Sequence, residues 1–330
     1  MNVDLSRRSF LKTAALAAIA TSLPVAFYAA AQAQTPKPRN AGFYRFKLGE
    51  FNMATISDGV LAAPAAAFAG DVTPEQLKEV LRQGFQSETL MPDCNILFID
   101  TDTHKVLIDS GSGNLNGDTA GKLVENLALA QIDPADIDTI IISHAHPDHV
   151  GGLTDPMGVS LFPNARYYVP NVEWQFWMNP KVSLPKVKLP DEAKQGFIAV
   201  AKKQLSAIQD RVTRFEVNQE IIPGITAMSA PGHTPGHVAF RVTSGETSLV
   251  HTADVVHTHT INLWNPSWQP LFDADPDQAA ATRQSVLEKI AGDRTLMFAY
   301  HFPFPGVGHI VPREAGGFNW EPVNWQFEST

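Results

Sequence analysis

Four potential metal ligands fall within six positions of the segment Ile140-Ile141-Ile142-Ser143-His144-Ala145-His146-Pro147-Asp148-His149-Val150-Gly151-Gly152. Three β-branched residues lead into them, and a Gly-Gly pair follows where the backbone can turn. Imidazoles two residues apart face one side of an extended segment but opposite sides of a helix, so His144 and His146 can share an ion only in a loop that leaves a strand. Asp148 and His149 lie one step further round, where a second ion could sit. Three more ligand types each close an apolar stretch: His233 in Pro231-Gly232-His233-Thr234-Pro235-Gly236-His237, Asp254 in Thr252-Ala253-Asp254, and His301 after Leu296-Met297-Phe298-Ala299-Tyr300. The set of five imidazoles and two carboxylates exceeds the four ligands of a tetrahedral zinc site. It suits two ions about 3.5 to 4 Å apart with one shared carboxylate. Water bridging such ions is hydroxide near neutral pH, so the expected chemistry is hydrolysis without a separate strong base. No Gly-x-Ser-x-Gly elbow competes with that reading.

The motif His144-Ala145-His146-Pro147-Asp148-His149 resembles the signature of the metallo-β-lactamase fold superfamily. That resemblance implies an α/β chain folded as an αββα four-layer sandwich, with metal ions between two β-sheets. It implies that His144, His146 and His233 hold the first ion, that Asp148, His149 and His301 hold the second, and that Asp254 bridges them. Asp148 and Asp254 are then the carboxylates expected to act at the reacting centre, with Asp58 and Asp109 supporting the metal loop from behind its ligands. The cofactors expected are two divalent ions, zinc first, with manganese, cobalt or iron as alternatives.

A closer resemblance, to the methyl parathion hydrolase family, runs through Gly42-Phe43-Tyr44-Arg45, Leu48-Gly49-Glu50-Phe51, Ser57-Asp58-Gly59, Phe162-Pro163-Asn164-Ala165 and Phe304-Pro305-Gly306-Val307-Gly308-His309-Ile310. It implies a periplasmic or secreted homodimer acting on small activated esters, aryl phosphotriesters among them, within a wider group that includes lactonases of acyl-homoserine and other lactones. Trp177 and Phe197 match aromatic pocket positions of that family. Leu115 replaces an aromatic pocket residue, and His257 and His259 stand where the family pattern is apolar. Phosphotriester and lactone hydrolysis therefore both stay open. A metal-dependent oxidoreductase of the same fold also stays open, since imidazole and carboxylate suit iron.

The net charge of −9, with no Lys/Arg cluster beyond the N-terminus, argues against nucleic acid as a partner. The single cysteine, Cys94, leaves no intrachain disulfide and no cysteine-based zinc site, and reads as a small buried apolar residue. Ser6-Arg7-Arg8-Ser9-Phe10-Leu11-Lys12, an Ala-rich run from Ala14 to Ala31 and Ala31-Gln32-Ala33 read as a twin-arginine signal over residues 1–33. Residues 34–330 are then one hydrolase domain with no stable membrane anchor after processing.

The elements that must position the ligands follow from period and punctuation. Two strands between Gly42 and Asp58 meet near Gly49-Glu50, with Ser57-Asp58-Gly59 as a closing turn. Pro64 to Gly70 reads as a loop, and a peripheral helix runs from Pro74 to Gly84 with Thr73 as its cap. Asn95 to Asp100 and Lys105 to Asp109 form a hairpin whose turn carries His104, and Thr119 to Gln131 reads as an amphipathic helix. Arg166 to Val169 is a strand, Asn171 to Met178 an aromatic-rich core segment, Pro180 to Pro190 a possible flap, and Asp191 to about Gln209 a helix. His237 and His309 are read as structural, and His251 as pocket wall or surface. The signal generates a first prediction. Replacing Arg7 and Arg8 together by Lys should hold the uncleaved chain in the cytoplasm, as read by cell fractionation. Export equal to wild type contradicts the assignment.

Overall fold

Along the strand Asp93–Asp100, alternate buried side chains face different neighbours: Cys94, Ile96 and Phe98 pack to one side, Leu97 and Ile99 to the other. The period of two belongs to a strand covered on both faces, and it sets the layering of the molecule. The computed structural model describes residues 40–326, and the twin-arginine segment lies outside them. From Ala41 onward the chain is one compact unit.

Seven strands form the first sheet in chain order: Phe43–Leu48, Phe51–Val60, Asp93–Asp100, Lys105–Ile108, Thr139–Ile141, Arg166–Pro170 and Val212–Phe215. Seven more form the second: Glu220–Ile222, Ile225–Ser229, Val238–Ser244, Thr247–His251, Leu296–Phe298, Val307–Pro312 and Phe318–Pro322. Phe46, Met53, Leu97, Ile99 and Ile108 of the first sheet meet Ile225, Phe240, Val242 and Phe298 of the second in one buried layer. Outside the first sheet lie Leu123 and Leu127 of the helix Leu123–Leu129, Trp177 of Asn171–Met178, and Ile198, Ala201 and Leu205 of Asp191–Ile208. Outside the second lie Leu287 and Ile290 of Pro276–Asp293, against Val250 and Met297. This is the αββα sandwich expected from the sequence. Among the described residues, no helix is long and apolar enough to cross a membrane.

Several local readings hold in detail. Thr73 and Gln76 form a reciprocal capping box at the start of Pro74–Gln83, whose single buried residue is Leu81. The hairpin is present, and His104 in its turn bonds Asp138 through Nδ1 at 2.9 Å. Trp177 is wholly buried, as a core residue should be.

Other readings need correction. Ser57-Asp58-Gly59 is not a turn: the strand continues to Val60, with a register shift after Ser57. Asp58 is buried, and its carboxylate accepts the N–H groups of Ser112, Gly121 and Leu123 at 2.7, 3.2 and 2.9 Å. It thus supports the loop beside the metal ligands through backbone. The Pro64–Gly70 loop contains a short helical turn, Ala65–Phe68, that buries Phe68. The helix read over Thr119–Gln131 begins only at Leu123.

Gly151-Gly152 also works differently from a flexible turn. Gly151 has ordinary helical dihedrals, but a Cβ there would lie 2.3 Å from Ser112 O, and one on Gly152 would lie 2.0 Å from Ser110 O. The pair exists so that two backbone segments can touch behind the ligand loop. Gly152→Ala should therefore destabilise the fold by roughly 1–3 kcal/mol, as inserting a methyl into a filled site does. Gly196→Ala, on an open helical face with no atom within 4 Å, should stabilise by roughly 0.5–1 kcal/mol. Urea denaturation checks both, and equal stability of Gly152→Ala and wild type contradicts the close-approach argument.

Candidate metal centre

Each ligand loop leaves the end of a strand, and the parallel pairs bring those ends to one edge. Lys105–Ile108 runs parallel to Thr139–Ile141, and Thr247–His251 runs parallel to Leu296–Phe298. Loops at the carboxyl ends of parallel strands are a recurrent location for sites in α/β folds. The chain bends at Ser143 and is extended again at His146, whose φ and ψ are −72° and 157°, and both His144 and His146 enter the same ligand group. One helical turn, Pro147–Val150, then swings Asp148 and His149 to the other side. Asp109 and Ala253 sit at φ of 66° and 44°, left-handed conformations that non-glycine residues hold only where the surroundings impose them.

The seven predicted ligands converge into two groups. His144, His146, His233 and Asp254 form one, and Asp148, His149, Asp254 and His301 the other; within each group the ligand atoms lie within 4.8 Å of one another. Asp254 belongs to both because its two oxygens face opposite ways. Oδ2 lies 3.2 Å from His233 Nε2 and 3.7 Å from His144 Nε2, whereas Oδ1 lies 3.1 Å from His149 Nε2 and 3.5 Å from His301 Nε2. Asp148 Oδ2 completes the second group, 3.5 Å from His149 Nε2 and 3.3 Å from His301 Nε2.

The neighbours of these residues fix which nitrogen faces inward. His301 Nδ1 lies 2.8 Å from the carbonyl oxygen of Asp93, which can only accept, so Nδ1 carries the proton and Nε2 is left for an ion. Asp273 Oδ1 holds His233 Nδ1 at 2.8 Å in the same sense, and Arg283 in turn donates to Asp273 Oδ2 at 3.3 Å. Asp109 takes the N–H and hydroxyl of Ser143 at 2.7 and 2.6 Å, and holds His149 Nδ1 at 2.8 Å. His237 donates from Nδ1 to Ala230 O at 2.8 Å and accepts the Asp254 N–H at Nε2, the structural role expected of it. Asn95 Nδ2 donates to the carbonyls of Ala299 and Phe302 on either side of His301. Partners of this kind orient metal ligands.

The electrostatics demand a cation. Burial alone would lift the Asp254 carboxyl, yet the surrounding His149, His301 and His257 hold it well below the usual carboxylate range. Burial alone would lower His149, but Asp254, Asp148 and Asp109 push it well above the ordinary imidazole value. His233 rises to about 9, its burial outweighed by bonds to Asp254 and Asp273. These directions mark buried negative charge that bound cations would balance. His149 Nε2 and Asp254 Oδ1, both buried, make no hydrogen bond although they face one another. Imidazole and carboxylate donors in this arrangement fit two divalent ions of the zinc type.

A cavity of about 160 Å³ opens onto both groups, walled by Leu61, Ala63, Phe68, Phe197, Phe272 and His257. Its lining departs from the sequence reading at three positions. Leu115 is more than a third exposed and does not line the cavity, where Asn116 stands instead. Trp177 lies behind the wall, its ring 5.8 Å from that of His146. His259 faces a neighbouring cavity of about 360 Å³ that shares His301 and Pro92 with the first. Phe197 and His257 do line the cavity. Both ring nitrogens of His257 are buried without a hydrogen bond, and Nε2 lies 3.3 Å from Asp254 Oδ2. Phe68, Phe272, Asp273 and Glu173 carried no signal in the sequence. Only the side chains they meet across the fold give them a place at the site.

Comparison with known proteins agrees with the geometry. The family model of the metallo-beta-lactamase superfamily matches residues 92–301. The dizinc quorum-quenching lactonase AidC superposes with a TM-score of 0.81 at 31% identity, over 86% of this chain and 98% of that one. An N-acyl homoserine lactonase of Bacillus sp. is 22% identical over 66% of this chain and 81% of its own length. A probable metallo-hydrolase of Mycobacterium tuberculosis is 24% identical over 50% of this chain; the match spans 57% of that relative's length. The sandwich, the two ligand groups and the matched region together establish that this chain belongs to the metallo-beta-lactamase superfamily.

Proposed function

We propose that the chain is a dinuclear zinc lactonase that opens the ring ester of N-acyl-homoserine-type lactones, with aryl phosphotriesters as side substrates. The observation that carries this reading is His257, a buried imidazole in the wall of the cavity whose Nε2 lies 3.3 Å from Asp254 Oδ2 and whose Nδ1 makes no hydrogen bond. The lactonases among the relatives support it.

Bound divalent ions supply Lewis-acid polarisation and lower the pKa of their water. Asp254 and Asp148 hold the negative charge that keeps such ions in place, and the five imidazoles hold the geometry. Leu61, Phe68, Phe197 and Phe272 exclude water and offer an apolar surface to an acyl chain. A phosphotriester with an aryl leaving group departs as a weak base and needs no acid, whereas a lactone releases a basic alkoxide that does. Burial draws the His257 imidazole down to about 4, so at neutral pH it is neutral. Being neutral, it serves as a hydrogen-bond donor to the departing oxygen, and the proton that the alkoxide takes up comes from water. Periplasmic location by twin-arginine export, and assembly as a homodimer, are proposed on the sequence resemblance alone. The acidic net charge supports a partner list without nucleic acid.

Two outcomes are expected. Asp254→Ala should lose at least one of two ions per chain and nearly all activity, because two neighbouring cations are left without their shared anion. Metal analysis after dialysis checks this, with His104→Ala as the unaffected control. Two ions with near-normal turnover in Asp254→Ala contradict the dinuclear reading. His257→Leu should lower kcat/KM for a lactone about 10²- to 10³-fold, the usual effect of removing one donor to developing negative charge, with far less effect on an aryl phosphotriester. An unchanged lactone rate, or a wild type inert to every lactone, contradicts the assignment.

A further inference from the structure

Glu173 is the third residue of the helix Asn171–Met178 and is wholly buried. All four of its hydrogen-bonding partners are donors. Ala145 N–H and Trp177 Nε1–H donate to Oε1 at 3.0 and 2.5 Å; Thr234 Oγ1–H and Gly236 N–H donate to Oε2 at 2.7 and 3.0 Å. Ala145 N–H, Trp177 Nε1–H and Gly236 N–H can only donate and the Thr234 hydroxyl can do either, so the site is built around the acceptor oxygens of a carboxyl group. Burial raises the carboxyl above its ordinary value, and the four bonds oppose that shift without reversing it.

The location of the donors gives the residue its meaning. Ala145 stands between His144 and His146, and Thr234 follows His233 directly. One carboxylate therefore clamps the two loops that carry all three imidazoles of the first ligand group. Trp177, held by the same oxygen, sets its ring edge-on behind His146 at 5.8 Å and 68°. The turn is packed so closely that a Cβ on Gly236 would lie 2.1 Å from Glu173 N. None of these bonds reaches the second group, which has its own supports: Asp109 on His149, Asn95 on the carbonyls flanking His301, and Tyr300, whose hydroxyl donates to Asp148 O at 2.6 Å.

We propose that Glu173 is a positioning residue for one ion only, fixing the separation of the His144–His146 loop and the His233 turn so that three imidazoles converge on the first metal site. The inference rests on the dinuclear reading. Partners behind metal ligands are typically worth 10- to 100-fold in metal affinity, and here the loss falls on one site of two.

Glu173→Gln keeps the shape of the side chain but turns an amide NH₂ toward two of the four donors, so one loop is released. The full chain is loaded with cadmium, its two sites are followed by cadmium NMR, and metal is withdrawn by graded chelator. The resonance lost in Asp148→Asn marks the second site. In Glu173→Gln, the first-site resonance should shift and vanish at about 10- to 100-fold lower chelator than in wild type, while the second-site resonance keeps its position and its release point. Thr234→Val, which removes one donor and leaves the carboxylate, should move the same resonance by less, and it decides the matter should Glu173→Gln fail to fold. Unshifted release, or equal weakening of both sites as a general packing defect gives, overturns the proposal while two ions still bind to wild type. Fewer than two ions in wild type overturns the dinuclear reading and this inference with it.

Discussion

The site is organised around one buried anion that cannot be left alone. Asp254 presents Oδ2 to His144, His233 and His257 and Oδ1 to His149 and His301, in a pocket that water barely reaches. A carboxylate in such surroundings is stable only with compensating charge, and the choice lies between protons on imidazoles and metal ions between them. Asp148 adds a second negative charge on one side only. The two halves of the site are therefore unlike: one offers three imidazoles, the other two imidazoles and a further carboxylate. His237 accepts the Asp254 N–H and so fixes the backbone from which that carboxylate projects.

Rigidity comes from the sandwich. Ligands on four separate chain segments stay in register because each segment follows a strand, and because the loops are tied to one another by side chains that are themselves buried. Asp109 ties the Ser143 backbone to His149, Asp273 ties His233 to Arg283, and Asp58 ties three backbone amides of the adjoining loop. Each such bond restricts a tautomer or a loop before any ion arrives, so binding need not supply that ordering itself. Gly151 and Gly152 belong to the same scheme, since only their missing side chains let the ligand loop lie against Ser110 and Ser112.

What the sequence disclosed follows a physical line. The seven ligands were legible because their types are rare together and each ends an apolar strand, a local signal that needs no tertiary knowledge. The layers came from the resemblance carried by the His144–His149 motif, since a segment as uniformly buried as Asp93–Asp100 does not by itself say which side chain faces which layer. Asp58 misled because Ser-Asp-Gly has turn chemistry, while the actual strand absorbs Gly59 at a φ of 99° and runs on. Asp273 and Glu173 were illegible. Asp273 meets His233 across 40 positions, and a glutamate inside an aromatic helix gives no hint that its oxygens will face two distant loops. The cavity wall failed in part because Leu115 and His259 lie one and two residues from the wall residues Asn116 and His257, where only the loop conformation decides which side chain turns inward, and because the helix Asn171–Met178 packs Trp177 behind the wall.

The cavity is apolar except at its metal end, where His257 is the one imidazole that belongs to neither ligand group. An apolar chamber beside a polar reacting end suits a molecule with an apolar part and a polar reacting group, in keeping with the substrate class proposed above. Everything proposed about catalysis presupposes that two cations share Asp254. Anomalous diffraction at the zinc edge, on crystals of the full chain purified without chelator, tests that premise most directly. Two peaks are predicted, one among His144, His146 and His233, the other among Asp148, His149 and His301, with an oxygen of Asp254 against each. A single peak, or two peaks with Asp254 turned away from either, contradicts it.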